Sequence, residues 1–180
     1  MLPPGPAVDD STLISAALQG EAGAFEQLFE RHYEMIHALA YRLCLRAADA
    51  DDVAQETFIK AARGLAGFRG GDFRSWLYRI AANCARDFHR DTTRRARMES
   101  QVTEQMLAES DPQPGNAAAV CDALAGLKSD HREAVVLVYF EGLNHAEAAR
   151  VLGCAETTIS WRLFRAKRQL KALLSRSHER

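Results

Sequence analysis

The stretch His145-Ala-Glu-Ala-Ala-Arg-Val-Leu-Gly-Cys-Ala-Glu-Thr-Thr-Ile-Ser-Trp-Arg162 has the spacing of two helices joined by a tight turn. Ala149 is small where the helices must cross closely. Gly153 comes where the chain has to leave the first helix in a left-handed conformation, which glycine adopts without steric cost. Ile159 is placed to plug the second helix into a core, and Thr157 or Thr158 can satisfy free amides at the start of that helix. Ile159, Leu163, Ala166, Leu170 and Leu173 then step by four and three along one buried stripe. Trp161, Arg162, Arg165 and Arg168 lie away from that stripe, with Lys171 alongside. A basic, acid-free face on so long a helix suits insertion in the major groove of duplex DNA. The alternative is a solvated amphipathic helix of an ordinary bundle. Turn glycine, small residue and charge bias agree on a helix-turn-helix.

Outward from this motif, helical periodicity continues and no alternating strand pattern appears. Helices are expected at about 12–19, 22–46, 49–65 and 74–92, and again at about 117–126, 129–141, 145–152 and 156–175. Between the two sets lies a polar, acidic stretch marked by Pro112 and Pro114, the composition of a domain boundary. The fold class is therefore all-α: two small helical domains, 10–95 and 117–178, joined by a flexible acidic linker, 96–116, with the helix-turn-helix in the second.

The 180 residues carry a net charge of −1, 26% charged and 47% hydrophobic residues, which is ordinary for a globular chain and excludes disorder throughout. No run approaches the ~20 apolar residues of a membrane span, so no membrane insertion is expected. The opening Met1-Leu-Pro-Pro-Gly-Pro6 lacks the basic and apolar parts of a secretory signal, which leaves a cytoplasmic protein as the expectation. Cys44, Cys84, Cys121 and Cys154 are far apart and read as free, largely buried thiols. The six histidines form no metal-ligand or triad pattern and no phosphate-binding loop precedes a helix, so no enzyme, metal or cofactor is expected.

Near-neutrality hides segregation. Residues 26–56 carry seven acids and three bases, net −4; residues 74–97 carry seven arginines and two acids, net +5. Residues 98–122 hold five acids and no base, net −5; residues 157–178 hold six bases and no acid, net +6. Blocks of this kind are the electrostatic footprint of a nucleic-acid binder.

In the first domain, Leu77, Ile80, Cys84 and Phe88 form an apolar stripe on helix 74–92, while Arg79, Asn83, Arg86 and Arg90 follow another side. The glycine-rich loop Phe68-Arg-Gly-Gly-Asp-Phe73 precedes it. Aromatic rings beside a basic stripe, with an amide to read a base edge, suit capture of unpaired bases. Trp76 reads as core, whereas Phe68 and Phe73 stand open between core and ligand contact. In Asp49-Ala-Asp-Asp-Val-Ala-Gln-Glu-Thr-Phe-Ile-Lys60, Ala54, Phe58 and Ala61 are spaced for the core. Asp52, Gln55, Glu56 and Ile59 then share an outer face whose mixed character fits a protein partner, a plain solvated face being the alternative.

Three segments carry a resemblance: Asp51-Asp-Val-Ala-Gln-Glu-Thr-Phe58, Phe73-Arg-Ser-Trp-Leu-Tyr-Arg-Ile-Ala-Ala-Asn83, and Gly142-Leu-Asn-His-Ala-Glu-Ala-Ala-Arg-Val-Leu-Gly153 leading into Arg162-Leu-Phe-Arg-Ala-Lys-Arg168. In this order and spacing the chain resembles the extracytoplasmic-function (ECF) sigma factors, bacterial RNA polymerase specificity subunits. The resemblance implies that Asp52, Gln55, Glu56 and Ile59 dock on the clamp helices of the largest polymerase subunit, and that the flap of the second subunit is also a partner. It implies that Phe68, Phe73, Arg79, Asn83, Arg86 and Arg90 bind the melted −10 element. It further implies that Thr158, Ser160, Trp161, Arg162, Phe164, Arg165 and Arg168 read the −35 element as duplex. An anti-sigma factor would be a further partner, and the acidic linker would lie in polymerase channels. The chain departs from the family in having Thr157-Thr158-Ile159 where Gly-Thr-Val is usual, and Trp161 where a small polar residue is common. A sigma mimic that only sequesters an anti-sigma factor is the alternative, against which the +5 and +6 blocks count.

Overall fold

The computed structural model describes residues 9–99 and 116–177, and among these the regular structure is entirely helical. The first module holds α1 (Asp10–Leu18), α2 (Ala24–Cys44), α3 (Ala47–Gly64), a 3₁₀ turn (Leu65–Gly67) and α4 (Phe73–Glu99). The second holds α5 (Asn116–Ala125), α6 (Ser129–Val135) running into a π-helical turn (Val136–Phe140), α7 (His145–Leu152) and α8 (Glu156–Ser177). Residues 100–115, most of the expected linker, lie outside the described part.

Three boundaries depart from expectation. Helix α2 stops at Cys44 because Leu45 turns left-handed (φ 65°), a strained state for a branched side chain that burial of Leu45 compensates. Helix α4 runs on to Glu99, since no glycine or proline interrupts the chain before Pro112 and the residues from Arg94 to Glu99 are good helix formers. The segment expected as one α-helix over 129–141 widens to a π-turn from Val136. Glu133, Ala134, Val135, Val136 and Leu137 are all buried in succession, so this segment is enclosed on every side and has no amphipathic period.

Helices α2, α3 and α4 form the first core through Leu28, Ile36 and Leu39, through Val53, Phe58 and Ala61, and through Leu77, Tyr78 and Ala81. Helix α1 is laid on α2 by Leu13 and Ile14 and fastened by Asp10, whose carboxylate lies 2.7 Å from Arg31 and 2.8 Å from the buried ring of His32. In the second module α6, α7 and α8 pack around Ala148, Ala149, Val151, Ile159 and Ala166.

The two modules pack on each other, α4 against α7 and α2 against α6 and the π-turn. The join is polar as well as apolar. Arg86 of α4 meets Glu133 of α6 in a two-pronged pair, Nε to Oε1 at 2.9 Å and Nη2 to Oε2 at 3.0 Å. Glu141 accepts from the Tyr78 hydroxyl at 2.7 Å and from Arg42 at 3.2 Å, and Arg42 also lies over the Phe140 ring at 5.0 Å. Arg132 donates to the Leu43 carbonyl at 2.9 Å, one of the carbonyls that the end of α2 leaves without a helical partner. Burial, partly offset by the Arg74 hydrogen bond, pushes the Tyr78 hydroxyl up to about 12.

Candidate polymerase and nucleic-acid interfaces

Helix α3 presents Asp52, Gln55, Glu56 and Ile59 together on its exposed side, opposite buried Val53, Ala54, Thr57 and Phe58. Thr57 is kept inside by donating its hydroxyl to the Val53 carbonyl at 2.6 Å. A shallow groove separates this face from α4. Lys60 spans it, 3.6 Å from Glu56 and 3.8 Å from Asp87, and Asp87 is held in turn by Arg90 at 2.6 Å. The four residues singled out on α3 thus form one surface of acids, an amide and an aliphatic.

The glycine-rich loop ends in a helix cap. The Asp72 carboxylate accepts from the Ser75 hydroxyl at 2.6 Å, the Ser75 amide at 3.1 Å and the Arg74 amide at 3.3 Å. Partial burial alone would raise the Asp72 carboxyl, but these hydrogen bonds, with Arg74 nearby, hold it below the ordinary value. The aromatic cluster Phe68, Phe73 and Trp76 is mutually packed, with centroids 5.3–5.5 Å apart. Its members are not equivalent. Phe73 is 4% exposed, wedged against His32, and so belongs to the core rather than to a surface on which a base could stack. Phe68 is half-buried at the loop and Trp76 is half-buried beneath it. Along α4, Arg79, Asn83 and Arg90 are exposed. Arg86 is on the same side, but its guanidinium is committed to Glu133, with Asn83 accepting a further bond from it at 3.1 Å.

The helix-turn-helix has the anticipated turn and helix crossing. Among the described residues, however, the hydroxyls of Thr157 and Thr158 make no hydrogen bond to the amides that open α8, where the Thr158 amide bonds to the Ala155 carbonyl at 2.9 Å instead. Asn144 caps α7, accepting from the Glu147 amide at 2.9 Å while the Glu147 carboxylate accepts from the Asn144 amide at 2.8 Å. Gly153 ends α7 with φ 65°, and the Cys154 amide bonds back to Ala149 at 3.0 Å. Ala149 and Ile159 are buried at the crossing. On α8, Thr157, Trp161, Phe164 and Arg168 face away from the core and Arg165 is exposed beside them. Thr158 is half-buried, and Ser160 is tied across the turn to the His145 ring at 3.0 Å. Arg162 turns sideways to Asp130 of α6, at 3.7 Å, so it lies on the flank rather than on the outermost line.

The cysteines are free, Cys84 and Cys121 buried and Cys44 and Cys154 half-buried. Burial, reinforced by Asp49, pushes the Cys44 thiol up to about 12, and burial also raises Cys84. Neither is an activated thiolate. Sequence reasoning passed over Glu133, Glu141, Tyr78 and Arg132, the residues that join the modules. Two carboxylates bracketing the apolar run Ala134–Phe140 were the available signal, since a buried acid needs a partner.

Fold and surfaces together define an all-helical, two-module protein with a basic helix-turn-helix in the second module. Residues 28–95 match the family model for Sigma-70 region 2, and residues 118–170 match that for Sigma-70, region 4. The chain belongs to the ECF RNA polymerase sigma factors. It is 36% identical to ECF RNA polymerase sigma factor SigM of Mycobacterium tuberculosis, over 92% of this chain and 84% of that one. It is 35% identical to RNA polymerase sigma-H factor of Pseudomonas aeruginosa, over 92% and 93%. Among solved structures it is similar to the sigma factor RpoE in complex with the anti-sigma factor NepR from Bartonella quintana, with a TM-score of 0.73 and 29% identity over 86% of this chain and 98% of that one. CnrH in complex with the cytosolic domain of CnrY gives 0.70 and 34%, over 92% and 97%. Among the described residues no helix is long and apolar enough to cross a membrane.

Proposed function

We propose that this chain binds core RNA polymerase and directs it to a specific set of promoters, acting in the cytoplasm and under control of an anti-sigma factor. Module 10–95 docks on the polymerase through Asp52, Gln55, Glu56 and Ile59 of α3. Its −10 surface is Phe68 with Arg79, Asn83, Arg86 and Arg90. Module 117–178 reads the −35 duplex through α8. The observation that carries this assignment is the outer face of α8: it belongs to the second helix of a helix-turn-helix, and no carboxylate follows Glu156 along it. An anti-sigma partner is supported by the likeness to RpoE and CnrH, each solved with one.

Arg86 cannot hold Glu133 and a DNA strand at once. In this reading the modules part before the −10 surface is complete. The test is transcription from selected promoters by core polymerase with and without this chain. Specific initiation that Asn83→Ala and Arg165→Ala each reduce is the expected result; variants that transcribe like the wild type would overturn the DNA-reading roles.

A further inference from the structure

Helix α8 carries two large apolar rings where a DNA-facing helix usually needs polar groups. Trp161 is 54% exposed and Phe164 59%, on the side opposite Ile159 and Ala166, which are fully buried. Their neighbours on the exposed surface are the cations Arg165, Lys167 and Arg168. An apolar patch walled by positive charge matches a groove walled by phosphates.

The rings are also held in place. His131, fixed by a 2.6 Å contact to Gln169, meets the Trp161 indole edge-on with centroids 5.7 Å apart. The Arg165 guanidinium lies 5.7 Å from the Trp161 ring and that of Arg168 5.9 Å from the Phe164 ring. Cation–π contact of this kind leaves the edge of each guanidinium available to a base or phosphate. Rings ordered beforehand lose little rotamer freedom on binding.

A phenyl ring offers no hydrogen bond and an indole only one N–H donor. The major-groove edges of adenine, guanine and cytosine present donors and acceptors, which an apolar ring would desolvate without replacement. Thymine alone presents a methyl group there. Three residues of helix rise about 4.5 Å, close to the ~3.4 Å step between base pairs, so the two rings address neighbouring pairs.

Resting on the DNA-reading role proposed above, we infer that Trp161 and Phe164 are specificity-determining residues that read the 5-methyl groups of thymines at adjacent base pairs of the −35 element, on either strand. The departure of Trp161 from the family pattern then sets which promoters this chain selects.

The test uses the full chain assembled with bacterial core polymerase. Duplexes randomised across the −35 window are selected for binding, and each enriched thymine is replaced by deoxyuridine, which removes only the methyl group. Wild type should lose about fourfold in affinity per contacted methyl, the worth of burying one such carbon. Trp161→Ala should abolish the penalty at one position and Phe164→Ala at its neighbour. Selected duplexes without a recurrent thymine, or an affinity indifferent to deoxyuridine, overturn the inference while leaving promoter reading intact. So do variants that keep the full methyl penalty. If no duplex sequence is enriched at all, the DNA-reading role falls and this inference with it. The deoxyuridine comparison needs no variant, so a folding defect in Trp161→Ala does not blunt it.

Discussion

Replacing Glu133 by Gln should loosen the join between the modules while leaving each module folded. The Glu133 side chain is only 7% exposed and faces Arg86, itself 31% exposed, through two bonds of 2.9 and 3.0 Å. Hydrogen bonds to charged groups contribute about 1.5–3 kcal/mol each when sheltered. Solvent at the arginine reduces the pair to roughly 2 kcal/mol in all. Because the two residues belong to different modules, that energy bears on the closed arrangement and lowers the closed-to-open ratio about 30-fold. A double-mutant cycle of Arg86→Ala and Glu133→Gln, measured by urea unfolding, should return a coupling above about 1 kcal/mol. Small-angle X-ray scattering of Glu133→Gln with Glu141→Gln should show a larger radius of gyration. If the proposed −10 role of Arg86 holds, Glu133→Gln alone should bind a −10 single strand more tightly, by at most that same factor of about 30. A coupling below about 0.3 kcal/mol with unchanged scattering would refute the reasoning.

Asp72→Ala removes the acceptor that caps α4 and should cost about 1 kcal/mol at neutral pH in urea unfolding. Since the folded state holds this carboxyl below its ordinary value, its contribution is present above the ordinary carboxylate range and lost as pH falls through the lowered one. The difference between variant and wild type should therefore shrink as pH falls below the ordinary carboxylate range, and a difference constant with pH would contradict the capping role. Gly153→Ala meets no neighbouring atom, so its cost is conformational alone, about 1–2 kcal/mol at φ 65°, seen as a lower Tm. Binding of the −35 duplex should weaken steeply with salt, and replacing Arg168 by Ala should reduce the log–log slope by about one unit if it contacts a phosphate. A flat salt response would show that α8 does not touch the backbone.

The all-helical class, the helix-turn-helix and the charged faces were readable in the sequence because each depends on residues a few positions apart. The turn at Gly153 and the stripe through Ile159, Leu163 and Ala166 are local patterns. So are the four exposed residues of α3. Where reading failed, distant residues were deciding. Phe73 sits in the core because His32, Phe68 and Trp76 close over it, not because of anything in its own loop. Helix α2 ends at a strained, buried Leu45, with Arg132 from the other module satisfying the Leu43 carbonyl.

What the sequence determined by itself, then, is a set of helices and the sign of charge on each, since periodicity and composition act over one or two turns. The tertiary structure decided which charges remain available. Arg86 and Glu133 are 47 positions apart, and Arg42 and Glu141 are 99 apart. Both carboxylates are buried and each finds its arginine only when the modules meet. Burial makes an unpaired carboxylate costly, and that cost, invisible in a linear sequence, turns two stretches of unlike charge into one closed molecule.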